Sequence, residues 1–132
     1  MRAKVDVDRE YQRSVGYWAI RQKNWAKRGI LFHGKPLTAE IFKALLDFQD
    51  HRCAISDGDE RWLKLAAEHD HKNGELRGAV DGKINHHAVG TYEKYGHYKS
   101  PIHEALLAAY LASPPAQSTK FLKFLKARGI KY

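Results

Sequence analysis

Residues 68–85, EHDHKNGELRGAVDGKIN, gather the side chains best able to do hydrolytic chemistry: Glu68, His69, Asp70, His71 and, after a turn, Asn85. An unperturbed imidazole titrates near neutral pH, so His69 is the natural general base for taking a proton from water. Glu68 and the side-chain carbonyl of Asn85 offer hard oxygen ligands that suit a divalent cation, Mg²⁺ first, with waters completing its shell. Such a pair would supply an activated water, neutralise negative charge and help a departing oxygen. His71 reads either as a second catalytic or phosphate-binding group or as a hydrogen-bonded hairpin histidine, and Asp70 as structural. His86 and His87 follow Asn85; either could add a ligand or simply be an exposed helix histidine.

A hairpin and a helix must hold these groups together. Residues 66–70 read as the end of a strand, Asn73-Gly74 as a two-residue turn, and 76–80 as the returning strand. Asp81 is placed to cap a short helix over 82–89, which Gly90 closes. Neighbours on a regular strand point to opposite faces. Glu68 and His69 can therefore converge only where the backbone leaves strand geometry, and the nearby turn is where that would happen.

This segment resembles the ββα-metal (His-Me finger, HNH-like) nucleases, and most closely the phage recombination endonuclease VII family. The family's Asp-His-Asp-His run, Arg-Gly strand and Cys-x-x-Cys-Asn match Glu68-His69-Asp70-His71, Arg77-Gly78 and 81–85, DGKIN. Upstream, 37–56 resembles the family's helix leading into its first Cys-x-x-Cys. The resemblance implies a Mg²⁺-dependent DNA endonuclease, with Mn²⁺ able to substitute. It gives His69 the role of base and Glu68 and Asn85 that of metal ligands. It also suggests branched DNA such as four-way junctions as substrate, or nicking of duplex DNA, and an intertwined homodimer.

The chain departs from the family pattern twice. Where the family's structural zinc takes four cysteines, the matching positions hold Cys53, Ser56, Asp81 and Ile84. One thiolate cannot close a tetrahedral zinc site, so no structural zinc is expected; packing of Cys53, Ile55, Trp62 and Ile84 would replace it. Glu68 stands where the family has Asp, one methylene longer in its reach.

The rest of the chain fits that chemistry. At 132 residues it is one domain. It lacks an apolar run of about 18 residues or a signal-peptide layout, which points to a cytoplasmic protein (the host cytoplasm if phage-encoded) with no membrane partner. The single cysteine excludes an internal disulfide. The net charge of +8 is the sum of +6 over 1–35, −3 over 36–116 and +5 over 117–132. Basic arms flanking an acidic centre suit DNA: the arms neutralise phosphates while the central carboxylates hold a cation. The candidate DNA contacts are Arg21, Lys23, Lys27, Arg28, Arg77, Lys120, Lys123 and Lys126. For Arg77 a salt bridge within the hairpin is the alternative.

Periodicity predicts a helix over 6–28, ended by Gly29, with Tyr11, Val15, Trp18 and Trp25 on one side. An extended link follows over 30–35. Thr38 caps a helix to about Gln49 that buries Ile41, Phe42, Leu45 and Leu46. Residues 91–100 read as irregular. Ser100-Pro101 starts another helix, with Ile102, Leu106, Ala109 and Tyr110 as its apolar face. Pro114-Pro115 stop it, and Ser118 or Thr119 begins a last basic amphipathic helix.

The expected fold is α+β, mostly α, with the ββα unit embedded between helices. Its parts are a basic arm (1–36), a nuclease core (37–112) and a basic C-terminal helix (113–132). Two other readings stand beside the endonuclease. One is a catalytically weakened, DNA-binding structural relative. The other is a His-rich transition-metal protein using His69, His71 and His86 or His87.

Overall fold

A computed structural model describes residues 15–58 and 64–132, the side chain of His86 excepted. The fold is α+β and mostly helical, with two small two-stranded sheets. Helix α1 spans Val15–Arg28 and buries Tyr17, Trp18 and Trp25. The start of the helix expected over 6–28 lies outside the described residues. Gly29 ends α1 at φ +69°, as its sequence position suggested.

The expected extended link is a hairpin of its own, β1 (Leu31–Phe32) against β2 (Lys35–Pro36). His33 and Gly34 both take positive φ, 50° and 75°, which is the geometry a two-residue turn needs. Helix α2 (Ala39–Phe48) follows, its N-terminus capped by Thr38, whose side chain accepts from Ile41 N. Its buried stripe is Ile41, Phe42, Ala44, Leu45 and Leu46.

The central hairpin pairs β3 (Leu65–His69) with β4 (Leu76–Asp81), antiparallel. Every residue of β4 is buried. In a sheet of two strands the outer edge of β4 would leave backbone groups unpaired. Gln49 covers that edge: its Oε1 accepts from Ala79 N and its Nε2 donates to Ala79 O, both at 2.9 Å.

The connection differs from the expected two-residue turn. It spans 70–75, and of its residues only Gly74 has positive φ, at 79°. Asp70 wins over Asn73-Gly74 because its side chain accepts from Lys72 N and its carbonyl from Gly74 N, each at 2.8 Å. Asx side chains readily build such local turns. Gly74 also lies against Gly29, whose oxygen would stand 2.4 Å from any Cβ there.

Asp81 caps as expected, its Oδ1 accepting from Lys83 N and Ile84 N. The helix it starts does not stop at Gly90. A π-helical turn, Ile84–Val89, runs on through α3 (Gly90–Tyr95), and Gly96 at φ 74° closes it. Gly90 keeps helical angles, because glycine permits a left-handed cap without requiring one. Residues 91–95, expected to be irregular, are therefore helical.

Ser100 caps α4 (Pro101–Ala112), with Pro101 in its first turn. Its buried residues are Leu107 and Tyr110, whereas Ile102 and Leu106 are exposed at 75% and 45%. The expected apolar face was thus mostly misplaced: a helix rich in Leu and Ala carries little polar contrast to show which side is inside. A short 3₁₀ turn, Pro115–Gln117, leads to α5 (Thr119–Ala127), capped by Ser118. Phe121 and Leu125 of α5 join the one core to which α1, α2, β4 and α4 all contribute.

The region read against a zinc site is knitted by its sulfur. Cys53 Sγ accepts from Asp81 N at 3.3 Å and from Ser56 N at 3.5 Å. Cys53 and Ile55 are buried and Ile84 packs against the core; Trp62 lies outside the described residues. The cysteine thus ties the segment after α2 to the end of β4.

Candidate active site

The hairpin register slips between Glu68 and His69. Glu68 pairs with Gly78 but His69 pairs with Leu76, so Arg77 is the extra residue of a bulge on β4. The backbone therefore leaves regular strand geometry between these two residues. Bulges re-aim side chains and cluster beside active sites.

His69 is half-buried at that bulge, its Nδ1 3.4 Å from Ala67 O. A proton on Nδ1 shared with that carbonyl leaves Nε2 to accept one from water. Burial lowers the pKa of His69 below its usual value; the Ala67 carbonyl opposes this and His71 adds to it. The ring is therefore neutral at neutral pH, the form a general base requires. The exposed ring of His71 lies 5.0 Å from it, centre to centre.

Glu68 is placed differently. It is 1% exposed, and Arg77 grips both its oxygens: Nε donates to Oε1 at 2.8 Å and Nη2 to Oε2 at 2.6 Å. Tyr110 of α4 donates its hydroxyl to Oε1 at 2.7 Å. Arg77 continues to Glu93 of α3, Nη2 to Oε1 at 2.9 Å and Nη1 to Oε2 at 3.3 Å, and Nη2 also reaches His69 O at 3.3 Å. Burial disfavours the charge on Arg77, but its bonds to Glu68 and Glu93 outweigh that and raise its pKa further. Burial, reinforced by the Glu68 carboxylate, holds the Tyr110 hydroxyl well above its ordinary pKa.

This arrangement bears on the divalent cation that the sequence implied. A ligand carboxylate must turn an oxygen towards the ion, whereas Glu68 is buried and already accepts three protein donors, two on Oε1 and one on Oε2. Asn85 is half-buried on the π-helical turn. Among the described residues no group of three His, Cys, Asp or Glu side chains is placed to hold a metal. As arranged, Glu68 does not fit a ready-made cation site.

Of the cations expected at DNA, Lys23, Lys27, Arg28, Lys120, Lys123 and Lys126 are exposed. Arg21 and Arg77 turn inward. Arg21 donates to Leu65 O at 2.8 Å and lies 4.7 Å above the Phe42 ring; Arg77 takes the salt bridge that was its alternative.

The profile of the recombination endonuclease VII family matches residues 25–113, about two thirds of the chain. The chain belongs to that family. The match runs from Trp25, near the end of α1, to the end of α4, so both hairpins, α2 to α4 and the buried Glu68 cluster fall inside it. No curated protein and no solved structure gives a match. Family membership makes a nuclease acting on branched DNA the class of activity, with DNA as its substrate. Among the described residues, no helix is long and apolar enough to cross a membrane.

Glu93 and Tyr110 are the site residues that sequence reasoning missed. A signal for Tyr110 existed: a tyrosine in the apolar face of a helix must find a hydrogen-bond partner once buried. Glu93 carried none, since a lone acid in a charged surface segment looks solvated.

Proposed function

We propose that this member of the endonuclease VII family hydrolyses phosphodiester bonds of branched DNA with His69 as the general base. The observation that carries the reading is the half-buried imidazole held at a bulge by Ala67 O, where burial lowers its pKa. Its unprotonated ring can take the proton of an attacking water, and low local solvation keeps it unprotonated near neutral pH. His71, whose exposed ring lies beside it, would meet a phosphate oxygen. The exposed lysines of α1 and α5 supply the charge that draws the DNA backbone in.

Dependence on Mg²⁺, with Mn²⁺ able to substitute, belongs to the proposal as a property of the reaction, without Glu68 as a ligand. Homodimer formation belongs to it too; the exposed Ile102 and Leu106 of α4 support that reading, and equilibrium sedimentation reads it directly.

The test is cleavage of four-way-junction, flap, nicked and linear DNA with Mg²⁺ or EDTA, for wild type and His69→Ala. Cutting of the junction that needs the cation and is lost in His69→Ala supports the assignment. Cation-dependent cutting that survives His69→Ala refutes the base. One observation favours a second reading, a DNA-binding relative with weakened catalysis: the carboxylate expected at the cation is closed off by Arg77 and Tyr110. Junction binding without cutting at any cation concentration would select it.

A further inference from the structure

We propose that Arg77, Tyr110 and Glu93 are positioning residues for His69, and that Glu68 is the buried anchor they share rather than a ligand of the cation. This rests on the endonuclease reading above and changes the part Glu68 plays in it.

Glu68 receives three donors at 2.6–2.8 Å from two side chains on different elements, β4 and α4. Charge-assisted bonds of that length are the strong ones, and the two from Arg77 form a fork that fixes orientation as well as distance. Turning Glu68 towards a cation would leave the Tyr110 hydroxyl, itself almost wholly buried, without its acceptor. It would also strip Arg77 of its closest partner. Buried polar groups are seldom left so.

From Arg77 the network extends to Glu93 on α3 and to the backbone carbonyl of His69. The guanidinium therefore ties the peptide of the base residue to a helix on one side and, through Glu68, to α4 on the other. It is also the residue extruded by the bulge that breaks the strand at His69. The side chain that fills the bulge and the side chain that anchors the base are the same.

Gly78 makes the space for the contact. A Cβ on Gly78 would stand 2.8 Å from the Tyr110 hydroxyl and 2.9 Å from its ring. The glycine opposite Glu68 lets α4 deliver that hydroxyl to the carboxylate. A hydroxyl brought through such a gap to a buried acid, one residue from the proposed base, is placed to fix that base.

Tyr110→Phe, Glu68→Asp and Glu93→Gln in the full chain separate positioning from cation binding. Asp is the residue the family resemblance has at this position, so a ligand role predicts that Glu68→Asp cuts well. Positioning expects the reverse, because the shorter side chain cannot reach both Arg77 and Tyr110. In Glu68→Asp and Tyr110→Phe, kcat should fall about tenfold or more, as expected for a displaced catalytic group. KM for junction DNA and the half-saturating Mg²⁺ concentration should stay within about twofold of wild type, since neither ground-state binding nor the ion's ligands have changed. Glu93→Gln keeps its shape and one acceptor, so its kcat should fall less. In the same variants the imidazole NMR signal of His69 should move from its wild-type position while the fold melts cooperatively. Glu68→Asp with wild-type kcat, or with a Mg²⁺ requirement shifted many-fold, overturns the proposal, as does a Tyr110→Phe protein with wild-type kcat and His69 signal. If wild type cuts none of the DNA substrates, the endonuclease reading fails, and the His69 signal still decides whether these residues position it.

Discussion

The hydroxyl of Tyr110 meets Glu68 Oε1 at 2.7 Å through a space that exists because Gly78 has no side chain. A methyl group on Gly78 would strike that hydroxyl at 2.8 Å and Pro115 at 3.3 Å. Gly78→Ala is expected to cost about 1–3 kcal/mol, the usual range for overpacking a closed interior. Urea unfolding reads it, and a midpoint equal to wild type would contradict the tight approach.

Arg77 stands between two acids, 7% exposed as a side chain, with Glu68 at 1%. Arg77→Met removes the cation but leaves the Glu68 carboxylate buried, which typically costs about 3–5 kcal/mol. Adding Glu68→Gln removes the stranded charge, so the double variant should be more stable than Arg77→Met alone. A double variant whose loss equals the sum of the single losses would show that the two residues do not interact.

The depressed pKa of His69 sets the acid side of the activity profile. Burial is its main cause, and His71 works in the same direction. The active form is the neutral one, so the rate should rise with pH through a pKa below 6.5 and level off by neutrality. The same shift makes the unfolded chain the better proton acceptor. Stability contributed at this position is therefore whole above 6.5 and falls as pH drops below it. His69→Ala should remove the limb and lower the rate by about 10²–10⁴. A limb in wild type centred above 6.5 would place the base elsewhere.

Much of this arrangement was legible in the residues. Thr38, Asp81 and Ser100 announce helix starts through short polar side chains that cap the chain locally, and all three do so. The strands around His69 follow from their apolar runs, and the family follows from the motif those strands carry. What the sequence concealed was decided at long range. The partner of Glu68 on α4 lies 42 positions away, and no local pattern relates a helix tyrosine to a strand carboxylate. Asn73-Gly74 looked like the turn, yet Asp70 reorganised the loop with two hydrogen bonds of its own. Glu68 illustrates the limit best. Its place beside His69 in the motif marks it as a ligand, and only the positions of Arg77 and Tyr110 show its oxygens accepting three protein donors.

The basic surface can be separated from the basic interior by salt. Lys120, Lys123 and Lys126 are exposed along α5, whereas Arg21 gives its guanidinium to Leu65 O and to the aromatic face of Phe42. Each phosphate contact made by a surface lysine releases a counterion, which contributes about 0.9 to the slope of log K against log salt on duplex DNA. Replacing the three α5 lysines with Gln should therefore weaken junction binding and flatten that slope by up to about 2.7. Arg21→Gln should leave the slope unchanged and instead lower the unfolding midpoint, because what it loses is a carbonyl bond and a stacked cation inside the fold. Fluorescence anisotropy with labelled junction DNA between low and moderate salt measures both. A slope that falls in Arg21→Gln and holds in the triple lysine variant would put the DNA against α1 rather than α5.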